Sequence, residues 1–269
     1  MFELVREYWP LLRDLYENDR TNVTGYDLIN SFIYAKNVKI FTTDDNWLEH
    51  GSFVLIHSTE HKADVYLNTL NGNLIDLQNL LSDLQLTARH WLCGYRHLLK
   101  NVVKQYCVDR NLNLKKLDYL ETFVYHLPQE AIQSLDYRSI ADISFGPLHI
   151  EHAALVDEHW PYRSSDSLAL IRSRIRHNIS VGAFDGDGHL LAWCLRSIHG
   201  TLSNLHVLPS HRRLGLASVL VRLMAQEIAA SGAEVLATIA FDNDISQMFF
   251  EKLGFKHIDD IYYTMVPTL

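Results

Sequence analysis

LHVLPSHRRLGLASVLVRLMAQ, residues 205–226, decides the fold. A strand-like run ends at Pro209, a short turn carries Arg212 and Arg213, and a helix follows. Leu216, Val219, Leu220, Leu223, Met224 and Ile228 recur at the i, i+3, i+4, i+7 spacing of one buried helix face. Gly215 and Ala217 are small, so backbone can approach a ligand closely there. The first N–H groups of a helix have no intrahelical partner, and they favour an anion by roughly 0.3–1 kcal/mol when exposed, up to ~2 when partly buried. Two arginines add formal positive charge. The segment therefore reads as a cradle for a phosphate or diphosphate. Alone, the same string also fits a plain strand–turn–helix with two solvated arginines.

Working outward, residues 234–240 (EVLATIA) predict a strand and residues 245–253 a short helix stopped by Gly254, a natural C′ residue. A last strand is expected over 258–265. Upstream, VGAF and HLLAWCLR flank Asp185-Gly186-Asp187-Gly188, which predicts a β-hairpin. The strand TLSNLHVL from Thr201 follows it. Helices are expected over 150–159, ended by Pro161, over 165–177, and over 214–231. The order is ααββ–β–α–β–α–β.

The first half has a different rhythm. Helical spacing predicts helices over 2–17, where Pro10 sits awkwardly, and over 26–35. VKIFTT from Val38, SFVLI from Ser52 and ADVYLNT from Ala63 read as strands, and Asn71-Gly72 as a turn. Helices are expected over 74–86 and 89–107, and a strand, LETFVYHL, over 120–127. The domain boundary is placed near 130–145, giving domains 1–140 and 141–269.

Bulk properties bound the rest. The chain has 269 residues, 48% apolar and 21% charged, which suits a globular protein of one or two domains. A net charge of −8 argues against a nucleic-acid partner. Cys93, Cys107 and Cys194 are widely spaced with no CxxC, so reduced structural thiols are expected and a metal is not. The N-terminus lacks a signal peptide's apolar core, and no run approaches a membrane span. An intracellular chain is the expectation, cytoplasmic first and mitochondrial second. His57-Ser-Thr-Glu60-His61 matches a zinc-peptidase string, but it follows a strand where that string needs a helix. The sequons at Asn22 and Asn178, without a secretory signal, read as chance matches.

Two motifs at the right distance resemble the GNAT superfamily of N-acyltransferases. Arg212-x-x-Gly215-x-Ala217 after V-L-P is similar to its acyl-CoA pyrophosphate motif. Asn243-Asp-Ile-Ser246-Gln-Met-Phe-Phe250-Glu-Lys252-Leu-Gly254-Phe255 is similar to its N-x-x-A/S-x-x-x-Y-x-K-x-G-F segment. His152-Ala-Ala-Leu-Val156, then Trp160 and Gly200, resembles the glycine N-acyltransferase-like branch. The resemblance implies a mixed α/β chain: a GNAT fold in the C-terminal half and an N-terminal α/β domain that is a degenerate second GNAT-like unit. It implies acyl-CoA or acetyl-CoA as co-substrate and a small-molecule amine, such as an amino acid, as acceptor. The cofactor-binding set it implies is His206, Val207, Leu208, Arg212, Arg213, Leu214, Gly215, Leu216, Ala217, Ser218, Asn243, Ser246 and Phe250, with Asn243 on the pantetheine arm. The oligomeric state is not legible.

Acyl transfer needs a neutral amine, and alkylammonium groups hold their proton to a pKa near 10, so a base is wanted. In many relatives a glutamate on the central strand is that base, and a tyrosine in the second motif is the acid. Here those positions are Thr201 and Phe250, which can serve as neither. His206 on the central strand and His199 just before it are the substitute bases, with Tyr262 or Tyr263 as an alternative acid. The vacancy leaves two other readings open: an acyl-CoA-binding module with little activity, and a protein N-acetyltransferase.

Overall fold

The computed structural model describes residues 1–43, 46–58, 63–70, 72, 74–133 and 139–268. In chain order its elements are β1 (Phe2–Glu3), α1 (Trp9–Leu15), α2 (Tyr26–Phe32), β2 (Val38–Thr42), α3 (Trp47–His50), β3 (Phe53–Ser58), β4 (Ala63–Asn68), α4 (Leu74–Asp83), β5 (His90–Arg96), α5 (Lys100–Asp109) and β6 (Tyr119–Leu127). There follow α6 (Gln129–Gln133), β7 (Ser144–Gly146), α7 (Ala153–Glu158), α8 (Ser167–His177), β8 (Ser180–Phe184), β9 (Leu190–Arg196), β10 (Thr201–Val207), α9 (Leu216–Ala230), β11 (Val235–Ala240), α10 (Asp244–Lys252) and β12 (Lys256–Val266). The mixed α/β class is as expected.

The chain forms two compact units. Unit 1 comprises Met1–Val124, Ile239–Asn243 and Ile258–Leu269; unit 2 comprises Tyr125–Thr238 and Asp244–His257. The units are therefore discontinuous in sequence, with the exchange falling inside β6, β11 and β12.

In unit 1, β2, β3 and β4 form an antiparallel meander, with β1 on β2. α4 then crosses over so that β5 runs parallel to β4, paired at Ala63↔His90, Asp64↔Trp91 and Val65↔Leu92. β12 lies next, antiparallel to β5 from Ile261↔Arg96 to Val266↔His90, and β6 follows β12 in the strand order. Leu77, Leu80 and Leu81 of α4 and Val102, Val103 and Tyr106 of α5 pack on Val54, Val65, Leu67 and Leu92, with Tyr262 and Val266 of β12 in the same core.

Unit 2 repeats the plan. β7, β8, β9 and β10 are antiparallel, and α9 crosses over so that β11 runs parallel to β10. The expected hairpin is present. The Asp185 carboxylate accepts the N–H groups of Asp187 and His189, and these bonds hold it below the usual carboxylate range. Ala153 and Val156 of α7 and Ile171 and Ile175 of α8 cover Leu190, Trp193 and Leu195 of β9. Leu216, Val219, Leu220, Met224 and Ile228 of α9 are buried, as their spacing requires.

Two expectations need correction. The helix over 2–17 is a short strand, a 3-10 turn and then α1 from Trp9, which puts Pro10 in the first helical turn where its missing N–H costs nothing. The helix over 89–107 is strand β5, a 3-10 turn and α5. Trp91, Leu92, Cys93 and Tyr95 satisfy strand and helix spacing alike, and pairing with β4 and β12 decides. Strand β7 went unread because three residues carry no pattern. The turn at Asn71 and the His61 end of the peptidase-like string lie outside the described residues, while His57 is on strand β3. No helix among the described residues is long and apolar enough to cross a membrane. All three cysteines are buried and in no disulfide among the described residues; burial pushes the Cys107 thiol up to about 11 and that of Cys194 up to about 12, so neither of these two offers a thiolate at neutral pH.

Candidate functional site

Unit 2 splays open along its middle. β10 and β11 pair only at Thr201↔Leu236 and Leu202↔Ala237. β10 then bulges between Ser203 and His206, with Asn204 at φ 51°. A bulge bends its strand and ends regular pairing. From Ser203 to Val207 every residue is half-buried, whereas Thr201 and Leu202 are buried. The strand thus opens towards its C-terminal end, which leads straight into the cradle.

There the sequence expectation acquires geometry. A 3-10 turn, Pro209–His211, follows β10, and α9 begins at Leu216. Arg213 and Gly215 both have positive φ, 66° and 85°. The N–H groups of Arg213, Leu214, Gly215, Leu216 and Ala217 donate to no group among the described residues; the next two, of Ser218 and Val219, both turn to the Gly215 carbonyl. Five successive free donors at the start of a 15-residue helix make a nest for an anion. A Cβ on Gly215 would meet nothing within 4 Å, so the space in front of the cradle is open. Arg212 is exposed, and its Nε donates to the Val207 carbonyl at 3.2 Å, holding the guanidinium between the end of β10 and the cradle. Leu208 is half-buried and Leu214 is exposed.

The second motif lies on α10. Asn243 stands just before its first residue, with its N–H on the Ala240 carbonyl at 3.0 Å, and is grouped with unit 1; Ser246, half-buried, belongs to unit 2. The Phe250 ring is buried against Phe249 and Phe255, edge-on to both.

The two histidines go to different places. His199 is in the tight β9–β10 turn, its N–H on Ser197 Oγ at 3.2 Å, and Thr201 is buried beside it with its hydroxyl on Ser197 Oγ at 2.9 Å. Thr201 and His206 stand roughly 17 Å apart along the strand at about 3.3 Å per residue, so His199 is at the far end of β10 from the cradle. His206 is beyond the bulge, opposite Trp193 in the register. Its ring lies 4.9 Å from Trp193 and 4.8 Å from His159, with both pairs stacked, and His159 is itself 5.9 Å from Trp193. Nε2 of His206 is buried without a hydrogen-bond partner. Burial, then the charges of His159 and Arg212, lower its pKa below the usual imidazole value. His159 was missed by sequence reasoning; its only signal is that it precedes Trp160. Tyr262 is in unit 1, buried, with its hydroxyl 3.1 Å from His97 Nδ1. Asp185, Asp187 and His189 gather three ligand-type groups in the exposed hairpin turn, where bonds within that turn account for them.

Comparisons with known proteins agree with this geometry. Residues 180–264 match the family model described as FR47-like protein, which spans the hairpin, the splayed strands and the cradle. Residues of this chain are 34% identical over 67 positions to aminoglycoside N(6')-acetyltransferase type 1 of Acinetobacter haemolyticus, covering 24% of this chain and 45% of that protein. Among solved structures, a Drosophila protein superposes with a TM-score of 0.87 at 22% identity, over 100% of this chain and 99% of that one. A tandem GNAT protein from the clavulanic acid biosynthesis pathway superposes with a TM-score of 0.63 at 12% identity, over 99% and 98%. A GCN5-related N-acetyltransferase from Sphaerobacter thermophilus does so at 0.56 and 11%, over 98% and 94%. The chain has the GNAT fold. The agreement with a tandem GNAT protein along nearly the whole length extends that fold to the N-terminal region as well as the C-terminal one.

Proposed function

We propose that the chain is an N-acyltransferase that moves an acyl group from acyl-CoA or acetyl-CoA to the amine of a small molecule. The observation that carries this reading is the row of five unpartnered N–H groups, Arg213 to Ala217, opening onto free space beside Arg212. That donor set is suited to a diphosphate, and it stands in the part of the chain that matches the FR47-like model. Val207, Leu208, Arg212–Ser218, Ser246 and Phe250, all in unit 2, are the residues we assign to the CoA site. The half-buried backbone of β10 beyond its bulge supplies N–H groups to polarise a thioester carbonyl. Glycine N-acyltransferases are the branch this chain resembles, and a free amino acid is a natural acceptor class to try first. The exposed, unobstructed cradle does not specify acyl length.

The test is a CoA-release assay over a panel of acyl-CoAs and amines, run on the wild type and on Gly215→Glu. The glutamate places a carboxylate among the five donors. Turnover by the wild type with loss of both binding and turnover in the variant supports the reading. Equal CoA binding by the two proteins overturns the cofactor site. CoA binding without turnover of any amine, small or peptide, favours an acyl-CoA-binding module, for which Thr201 and Phe250 are the supporting observations.

A further inference from the structure

The GNAT positions customarily holding a base and an acid are here Thr201, bonded into a turn, and Phe250, packed among phenyl rings. A different group stands at the open end of the central strand. Three elements bring it together: β9 supplies Trp193, β10 supplies His206, and the segment after α7 supplies His159. The three rings touch pairwise, at 4.9, 4.8 and 5.9 Å, so neither imidazole can turn freely. His206 is one residue before Val207, whose carbonyl holds Arg212 of the cradle.

Resting on the transferase reading above, we propose that His206 and His159 work as one unit that accepts the proton of the acceptor amine. The charged and titratable groups around the unit include Arg212 at the end of β10, Arg174 of α8, whose Nη1 is 2.6 Å from Asn204 Oδ1 and whose guanidinium lies over the Trp160 ring, Asp157 two residues before His159, and Arg163, whose Nε is 3.1 Å from Asp157 Oδ2. Arg212 opposes a positive charge on the unit. Asp157 is engaged by Arg163. Two imidazolium rings at 4.8 Å repel one another, so a charge on His159 opposes one on His206. Charging His206 would also place an N–H at buried, unpartnered Nε2. Burial and these neighbours keep His206 neutral at pH 7, the form a base requires.

The chemistry balances as follows. The acceptor ammonium gives one proton to an imidazole of the unit. Its nitrogen lone pair forms the C–N bond at the thioester carbonyl carbon, the C–S bond breaks, and the sulfur keeps that electron pair. The second nitrogen proton leaves with the sulfur as CoA thiol, and the imidazolium returns its proton to solvent.

Two measurements test the unit, on the full chain with His206→Gln and His159→Gln. The first is NMR titration of the ring protons without any substrate. His206 should titrate below the ordinary imidazole value in the wild type and move upward in His159→Gln, where one source of repulsion is gone. An unchanged His206 titration overturns the coupling. The second is the pH profile of kcat/KM. In the wild type it rises with pH through the lowered His206 value and is flat at neutral pH. In His206→Gln kcat/KM should fall by about 100-fold or more and lose that acidic limb. In His159→Gln the limb should move to higher pH. Rates within about threefold of wild type in both variants, or an acidic limb surviving in His206→Gln, overturn the proposal while leaving the transferase reading intact. A wild type that binds no CoA instead overturns the reading on which it rests.

Discussion

The two units follow one plan and finish it in opposite ways. In each, an antiparallel meander hands over, through a helix, to a parallel strand, and in each the parallel pairing stops after two or three residues. β4 then becomes more buried towards its C-terminal end, while β10 becomes more open. The end of β4 is closed by side chains that satisfy one another. Asn68 Nδ2 donates to Asn22 Oδ1 and Thr24 Oγ1, both at 3.0 Å, and Ser52 and Thr69 share a bond of 2.7 Å. The end of β10 leaves Asn204 Nδ2 and His206 Nε2 buried without partners. The segment after β4 reads TLNGNL, with no arginine, where unit 2 has Arg212 and Arg213. One copy of the plan has been filled with its own side chains; the other leaves N–H groups and buried polar atoms unpartnered. Unsatisfied buried polar groups cost stability, and they persist where function uses them.

The largest test of this comparison is to cut the chain. Unit 1 takes its last strand from the C-terminus, and Tyr262 and Val266 of β12 are part of its core. A fragment 1–140 should therefore fail to fold cooperatively, seen as a missing thermal transition in circular dichroism. A fragment with a sharp transition would show that β12 is dispensable.

Two glycines give the next largest contrast. Gly215 and Gly72 both have positive φ, and a Cβ on either meets nothing within 4 Å. Alanine at either should cost about 1 kcal/mol of stability from backbone strain. Only Gly215→Ala should also weaken CoA binding in calorimetry, by about tenfold, because only Gly215 belongs to the proposed CoA site.

Buried polar groups come third. Asn68→Ala strands Asn22 and Thr24 and should lose about 1–3 kcal/mol with CoA affinity unchanged. His206→Phe keeps a stacked aromatic ring while removing a buried nitrogen that has no partner, and should stay within about 1 kcal/mol of wild type by denaturant unfolding. Equal losses in both would remove the distinction between a filled and an open strand end.

The smallest effect is in pH. His90 is buried in unit 1 with both nitrogens bonded, Nδ1 to the Ala88 carbonyl at 2.8 Å and Nε2 to Tyr106 Oη at 2.9 Å, and burial lowers its pKa below 6.5. The unfolded chain then binds more protons than the folded one between that lowered value and 6.5. Stability should rise with pH across this window and level off above it. His90→Gln should flatten the rise measured by thermal unfolding.

How much was legible follows from the range of each signal. The Asp185–Gly188 hairpin, the cradle and the apolar face of α9 are local, and the sequence placed them within a few residues. β5 was misread because HWLCGYR is apolar at both periods, and its strand partners lie far away in sequence. The membership of β12 in unit 1 is a pairing over more than 160 residues, which no spacing rule reaches. The same holds for the site: Arg212 to Ala217 could be named from the motif, but His159, Trp193 and His206 come from three elements and meet only in the fold.

The central claim is that the N–H groups of residues 213–217 bind the diphosphate of CoA. Amide NMR of the full chain during a CoA titration tests it most directly. The account predicts saturable shifts of the Arg213, Leu214, Gly215, Leu216 and Ala217 amides, with the Gly72 and Leu74 amides of unit 1 unmoved. Saturable binding that leaves residues 213–217 unshifted, or that moves Gly72 and Leu74 instead, would contradict it.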